Sequence, residues 1–231
     1  MQPEPDRTSA FRSIVDLLLA LVLTVVAGVM AIAVARSLAA TGEVSLITVL
    51  LIQGGAIVLG VWLLLRWRGE TVRHVGLRRP GVRDLVRAVL ALLLVFAVNA
   101  VIMVLAVQLV PELAERHQEG LSGVADWLAG DMAPWTLLAI TLFIGFYEEV
   151  LARGFILDRC RRLLPGIWAP VLASSLLFGL GHAYQGWFGV LQTAVVGVVF
   201  ARLVVRWGTL WPVILAHAGL NFISLSVLRL I

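Results

Sequence analysis

Lysine is absent from this chain, so its 18 Lys-plus-Arg residues are all arginine. The single cysteine, Cys160, excludes an intramolecular disulfide framework and a multi-cysteine metal site, and reads as a spectator at a membrane surface. Charged residues make up only 14% of the chain. The arginines fall between apolar segments rather than in one patch with exposed aromatics, so nucleic acid is not an expected partner. Familiar hydrolase signatures are missing too. No His-Glu-x-x-His occurs, because His74, His117, His182 and His217 are followed by Val, Gln, Ala and Ala. There is no Gly-x-Ser-x-Gly elbow and no phosphate-cradling glycine loop. The only Gly-Asp pair, Gly130–Asp131, has no intramembrane aspartate to work with.

What is present is apolar length. Hydrophobic residues make up 61% of the 231, and runs of about 20 recur, enough to cross about 30 Å of hydrocarbon as helix. The expected fold is all-α, a polytopic transmembrane helix bundle of about seven spans. The segments are Ile14–Ala35, Val44–Leu65, Leu85–Val110, Pro134–Leu157, Trp168–Tyr184, Phe188–Val205 and Thr209–Leu228. The first could pass for a signal peptide, but its apolar run exceeds the usual 7–15 residues of such a region, which favours a retained helix. No internal repeat or separate soluble domain is visible. The chain reads as one integral membrane domain, with N-terminal spans and loops over 1–133 and a polar-bearing core over 134–231.

The arginines order the connections. Arg66, Arg68, Arg73, Arg78, Arg79, Arg83 and Arg87 lie around the second connection, Arg159, Arg161 and Arg162 after the fourth segment, and Arg202 and Arg206 after the sixth. The loop 111–133 is instead acidic, with Glu112, Glu115, Glu119, Asp126 and Asp131. An odd number of spans with a cytoplasmic N-terminus satisfies every cluster. The same arginines are expected to attract anionic lipid. A multi-pass protein of a bacterial plasma membrane is the expected setting.

Ionisable groups at membrane depth cost roughly 2.5–3.5 kcal/mol each at a helix centre, so they persist where they have partners or work to do. The first three segments hold almost none: Asp16 lies at a segment edge, and Gln53 and Asn99 read as lone amides. The later segments are loaded. Glu149 and Arg153 stand four apart on one helix face, acid before base, which a structural ion pair would explain. That reading leaves Glu148, about 100° around the helix, unexplained. In LLFGLGHAYQG, Phe178 and His182 share a face; in WPVILAHAGLNF, His217 and Asn221 do. Each could be a packing or helix-bridging group by itself. Together, carboxylate and imidazole can deprotonate water or bind a divalent metal, while arginine and asparagine can donate to an oxyanion. His182 falls near the far end of its segment, about 10 Å from the level of Glu148 and His217. Convergence therefore requires the fifth helix to start outside its drawn boundary, to tilt, or to break at HAYQG.

EEVLAR, FGLGH and HAGLN fit E-E-x-x-x-R, F-x-x-x-H and H-x-x-x-N in that order. With them the chain resembles the CPBP family of intramembrane metalloproteases, the CAAX protease and bacteriocin-processing group that includes the type II CAAX prenyl endopeptidases. The resemblance runs from about Pro134 to the C-terminus. It implies an active site within a C-terminal four-helix core and an endopeptidase acting on a membrane-associated peptide or protein. Glu148 would be the general base, assisted by His182. Glu149 would support it, paired with Arg153; His217, Asn221 and Arg153 would stabilise the oxyanion, and Phe178 would be supporting. A divalent metal such as zinc could use Glu148, Glu149, His182 and His217, but the spacing does not demand one. A non-catalytic scaffold, regulator or bacteriocin-immunity protein of the same fold is the alternative. A proton-relay transporter is disfavoured by the lack of a repeated half.

Overall fold

A computed structural model of the chain describes residues 7–39, 44–129 and 132–229. The described residues form eight helices and no strand. These are α1 (Arg7–Leu38), α2 (Leu46–Trp67), α3 (Val82–Leu109), α4 (Pro111–Ala129), α5 (Pro134–Leu163), α6 (Trp168–Leu180), α7 (Gly186–Trp207) and α8 (Trp211–Leu228). Six of them, α1, α2, α3, α5, α7 and α8, are long and apolar enough to cross a membrane. This is a multi-pass helical bundle.

Two segments depart from the sequence expectation. The fifth apolar segment makes only a 13-residue helix, α6, about 20 Å long and short of the hydrocarbon thickness. Seven expected spans are therefore six, plus one partial traverse. Its chain breaks where HAYQG stands. Gly181 ends α6, Ala183–Gln185 make a single 3-10 turn, and Gly186 adopts φ +78°, open to glycine at little steric cost. The acidic loop is largely helix α4, opened by Pro111 and rich in helix-forming Glu, Ala and Leu. Glu112, Glu115 and Glu119 face out while Ala114 and His117 are buried. The Asp126 side chain and Asp131 lie outside the described residues.

Ion pairs and hydrogen bonds sort the helix ends. Asp16 near the start of α1 accepts from Arg68 after α2 and from Arg159 near the end of α5. Glu70 in the same connection accepts from Arg159 and Arg162. Further along that connection, Gly76 accepts from the Leu210 amide at the start of α8. These termini share one basic end. At the other end, Arg229 after α8 donates to the Met132 carbonyl before α5, and α4 reaches α7 through His117 and Gln192. The first and last helices thus both start at the basic end, and the start of α1 and the end of α8 lie on opposite sides. Asp16, which reads as a segment-edge residue, is only 2% exposed. Arg68, Arg159 and Arg162, which read as free topology arginines, are paired. Cys160 is buried rather than at a surface, because α5 runs on past Leu157 and packs its last turns against α1 and α6.

α5 is the central strut. A Cβ on its Gly145 would lie 2.9 Å from the Ile214 carbonyl oxygen and 3.0 Å from the Ala218 amide, so glycine lets α8 approach backbone to backbone. The pair α6 and α7 closes in the same way at Gly179, against the Val190 carbonyl. Around this core, α1 buries Ala20, Ala27 and Ala31 and turns Leu18, Val22, Val25 and Val29 outward, as a lipid-facing helix does.

Candidate active site

The expected offset between the polar residues disappears in the fold. Glu148 stands fifteen residues before the end of α5, about 22 Å along the helix; His182 stands fourteen residues beyond the start of α6, about 21 Å. α5 is six residues longer than its apolar run suggests, which lifts Glu148 to the height of the turn after α6. α8 makes up the rest by starting inside the bundle. Thr209 and Leu210 are fully buried, and the Leu210 side chain lies against Gly154 of α5. Seven residues further on, His217 comes level with Glu148 and Glu149.

Glu149 is fully buried and its Oε1 accepts two bonds, from Arg153 Nη1 and from His217 Nδ1, each 2.8 Å. Arg153 lies 3.9 Å above the Phe178 ring and 5.6 Å from that of Phe200. Its Nη2 and Glu149 Oε2 are buried with no hydrogen-bond partner. Just after Glu149, α5 widens into a π-helical stretch, Val150–Ile156, that contains Arg153. Such stretches recur at functional sites.

Glu148 faces the other way. Its side chain keeps 19% of its exposure, against 0% for Glu149, and its Oε2 faces two imidazoles: His217 Nε2 at 3.7 Å and His182 Nε2 at 3.9 Å. Both rings are oriented from behind. His182 Nδ1 bonds the Phe178 carbonyl at 2.9 Å, and His217 Nδ1 bonds the Glu149 carboxylate. An acceptor at Nδ1 fixes the proton there, so in each neutral ring the Nε2 lone pair points toward Glu148. Neither distance is a direct hydrogen bond. Asn221 lies one turn beyond His217, half-buried, and bonds none of the other five polar residues.

Two imidazole nitrogens and one carboxylate oxygen are a zinc-type donor set, and tethered Nδ1 atoms are the usual support for such ligands. Bonds of about 2.0–2.2 Å to one ion would bring those donors a few tenths of an ångström closer than they stand. As placed, the described residues include no group of three His, Cys, Asp or Glu in position to hold a metal. The donor chemistry therefore fits, with a small inward movement. Glu149, a candidate ligand from its sequence position, instead spends its reachable oxygen on Arg153 and His217.

Three further contacts escape a reading by motif. Tyr147 donates to Glu148 Oε1 at 3.3 Å. Phe200 on α7 lies 5.6 Å from the Arg153 guanidinium and 5.9 Å from the His217 ring. Asn99, far from a lone amide, accepts from Gln192 at 3.0 Å. Only Tyr147 had a usable signal, its position next to Glu148.

Residues 130–223 match the family model of type II CAAX prenyl endopeptidase Rce1-like proteins. The C-terminal part of the chain is similar to this family. The matched stretch runs across α5, α6 and α7 and most of α8, and contains all six polar positions and Phe178. α1, α2 and α3 lie outside it. No curated protein and no solved structure matches the chain. That family is a group of proteases, and the likeness covers the helices that carry the polar residues.

Proposed function

We propose that the protein is an intramembrane endopeptidase that hydrolyses a peptide bond of a membrane-associated substrate. The observation that carries this is the meeting of Glu148 Oε2 with two imidazole nitrogens, each turned toward it by a bond from behind. Glu148 takes a proton from water as that water attacks the scissile carbonyl, and returns it to the departing amine. His182, tethered through Nδ1, accepts a hydrogen bond from the water and keeps it in line. Negative charge on the tetrahedral carbon's oxygen falls to donors on α8, with Asn221 the free amide and His217 able to donate once protonated. Arg153 acts through Glu149, holding the carboxylate that orients His217. A divalent ion such as zinc, held by Glu148, His182 and His217, would supply Lewis-acid polarisation of the same water.

The family description names prenyl substrates. The arginine-only, alanine- and leucine-rich composition of this chain suggests a GC-rich bacterial source and favours an unprenylated membrane peptide. We place the basic end, and so the N-terminus, in the cytoplasm of a plasma membrane, where its remaining free arginines meet anionic lipid. The test is a comparison of the peptides in membranes carrying the wild-type protein or Glu148→Gln. Peptides released only by the wild type support the reading. Identical peptide sets, together with undiminished turnover of a reporter by the variant, refute it.

A further inference from the structure

We infer that Tyr147 is a positioning residue for Glu148, and that α2, outside the family match, supplies its socket. This deepens the protease reading and rests on it. The two oxygens of Glu148 have separate surroundings: Oε2 faces His182 and His217, while Oε1 accepts from the Tyr147 hydroxyl at 3.3 Å. Among the described residues no other group donates to this carboxylate. A glutamate turns about three side-chain bonds, and its last torsion is broad. With Oε1 tied, rotation that would carry Oε2 away from the imidazoles is restrained.

A tether is useful only if it is itself fixed. Tyr147 is 5% exposed, and its ring lies 5.5 Å from that of Phe143, tilted by 56°. The opposing wall is Gly54 of α2. A Cβ there would fall 2.5 Å from Tyr147 Cδ1 and 2.6 Å from Phe143 Cε1, distances that side chains cannot share. The absence of a single carbon on α2 thus sets where both rings sit, and through the phenol where Glu148 points. The N-terminal helices thereby reach the reacting carboxylate without contributing a group to it.

The experiment uses the full chain in nanodiscs. The carboxylate stretch of Glu148 is identified in the infrared spectrum as the band lost in Glu148→Gln. In Tyr147→Phe, which keeps the ring, that band should move. For a quenched-fluorescence membrane peptide, kcat should fall roughly three- to tenfold, the effect of one ordinary hydrogen bond, with KM and Tm unchanged. Gly54→Ala should move the same band with the phenol intact. A band unmoved in Tyr147→Phe overturns the contact. A moved band with unchanged kcat, or a kcat loss matched by a fall in Tm, overturns the positioning role. A wild-type protein that cleaves no peptide sinks the protease reading and the catalytic consequence with it, while the band still decides the contact.

Discussion

Two clusters of carboxylates and cations among the described residues are built differently. At the basic end, Asp16, Glu70 and Asp158 meet Arg68, Arg159 and Arg162, three acids to three bases. Arg159 is fully buried, and Nε, Nη1 and Nη2 each go to a different carboxylate: Asp16, Asp158 and Glu70. Arg162 bridges Glu70 and Asp158, and Arg68 closes on Asp16. The network stitches α1, the α2–α3 connection and α5 together with its charges matched. In the candidate active site the matching fails. Two glutamates face one arginine, Arg153 Nη2 and Glu149 Oε2 lack partners, and Glu148 Oε2 stands 3.7 and 3.9 Å from nitrogens it does not bond. Buried polar groups left incomplete are costly. A cluster serving stability completes its bonds; one kept incomplete is available to a substrate.

Substitutions should separate the two clusters. The largest effect is expected for Glu148→Gln, a drop in cleavage of about 10²–10⁴-fold, the usual share of a general base, with Tm held. Arg159→Leu should do the reverse. It removes the one cation shared by all three carboxylates and leaves Asp16 to Arg68, and Glu70 and Asp158 to Arg162, a loss of up to about 3 kcal/mol. A large fall in Tm should then accompany a kcat that, below the new Tm, stays near wild type. Detergent-stable Arg159→Leu with unchanged Tm, or Glu148→Gln that melts early, would erase the distinction between the clusters.

How each cluster shows in the sequence follows from its geometry. Partners on one helix are legible, because helical spacing fixes them: Glu149–Arg153 is an i,i+4 pair and bonds as such. Ordered motifs likewise placed Phe178 against His182, whose rings lie 4.7 Å apart even though His182 is past the helix end. The break at HAYQG was legible as a geometric need. Partners across helices were not. Glu149 and His217 are 68 positions apart, Asp16 and Arg159 are 143, and no local spacing joins them. The π-helical stretch after Glu149 also has no spacing signature. The expected segment runs to Tyr184 because it takes in His182, whereas the apolar run and the helix both stop at Leu180. Arginines counted for topology could not be told from arginines needed for the network.

A smaller effect should come from pH at the basic end. Burial would raise the Glu70 carboxyl, but hydrogen bonds from Arg162 and Arg159 and their charges outweigh it and hold it below the usual 4.5. Its contribution to stability is therefore full above pH 4.5 and is lost as pH falls through the lower folded value. Glu70→Gln should lower Tm at neutral pH and flatten the acid limb of Tm against pH. An unchanged acid limb would show that the network does not depend on this charge.

The smallest effect concerns the opposite end, where α4 rests on the bundle through His117. This side chain is 5% exposed, against the Phe188 ring and bonded to Gln192 at 2.8 Å. Burial pulls its pKa below the ordinary 6.5, and its bond to Gln192 only partly offsets this. The folded state therefore prefers neutral His117, and its contribution is intact above pH 6.5 and declines as pH falls below that value. The decline is at most about 1.4 kcal/mol per pH unit for one proton. Hydrogen exchange of α4 amides at pH 7.5 and 5.5 reads it locally. Protection of α4 should drop at the lower pH while that of α5 and α8 holds, and His117→Gln should remove the difference. Equal loss across all three helices would assign the pH response to the whole bundle rather than to the seat of α4.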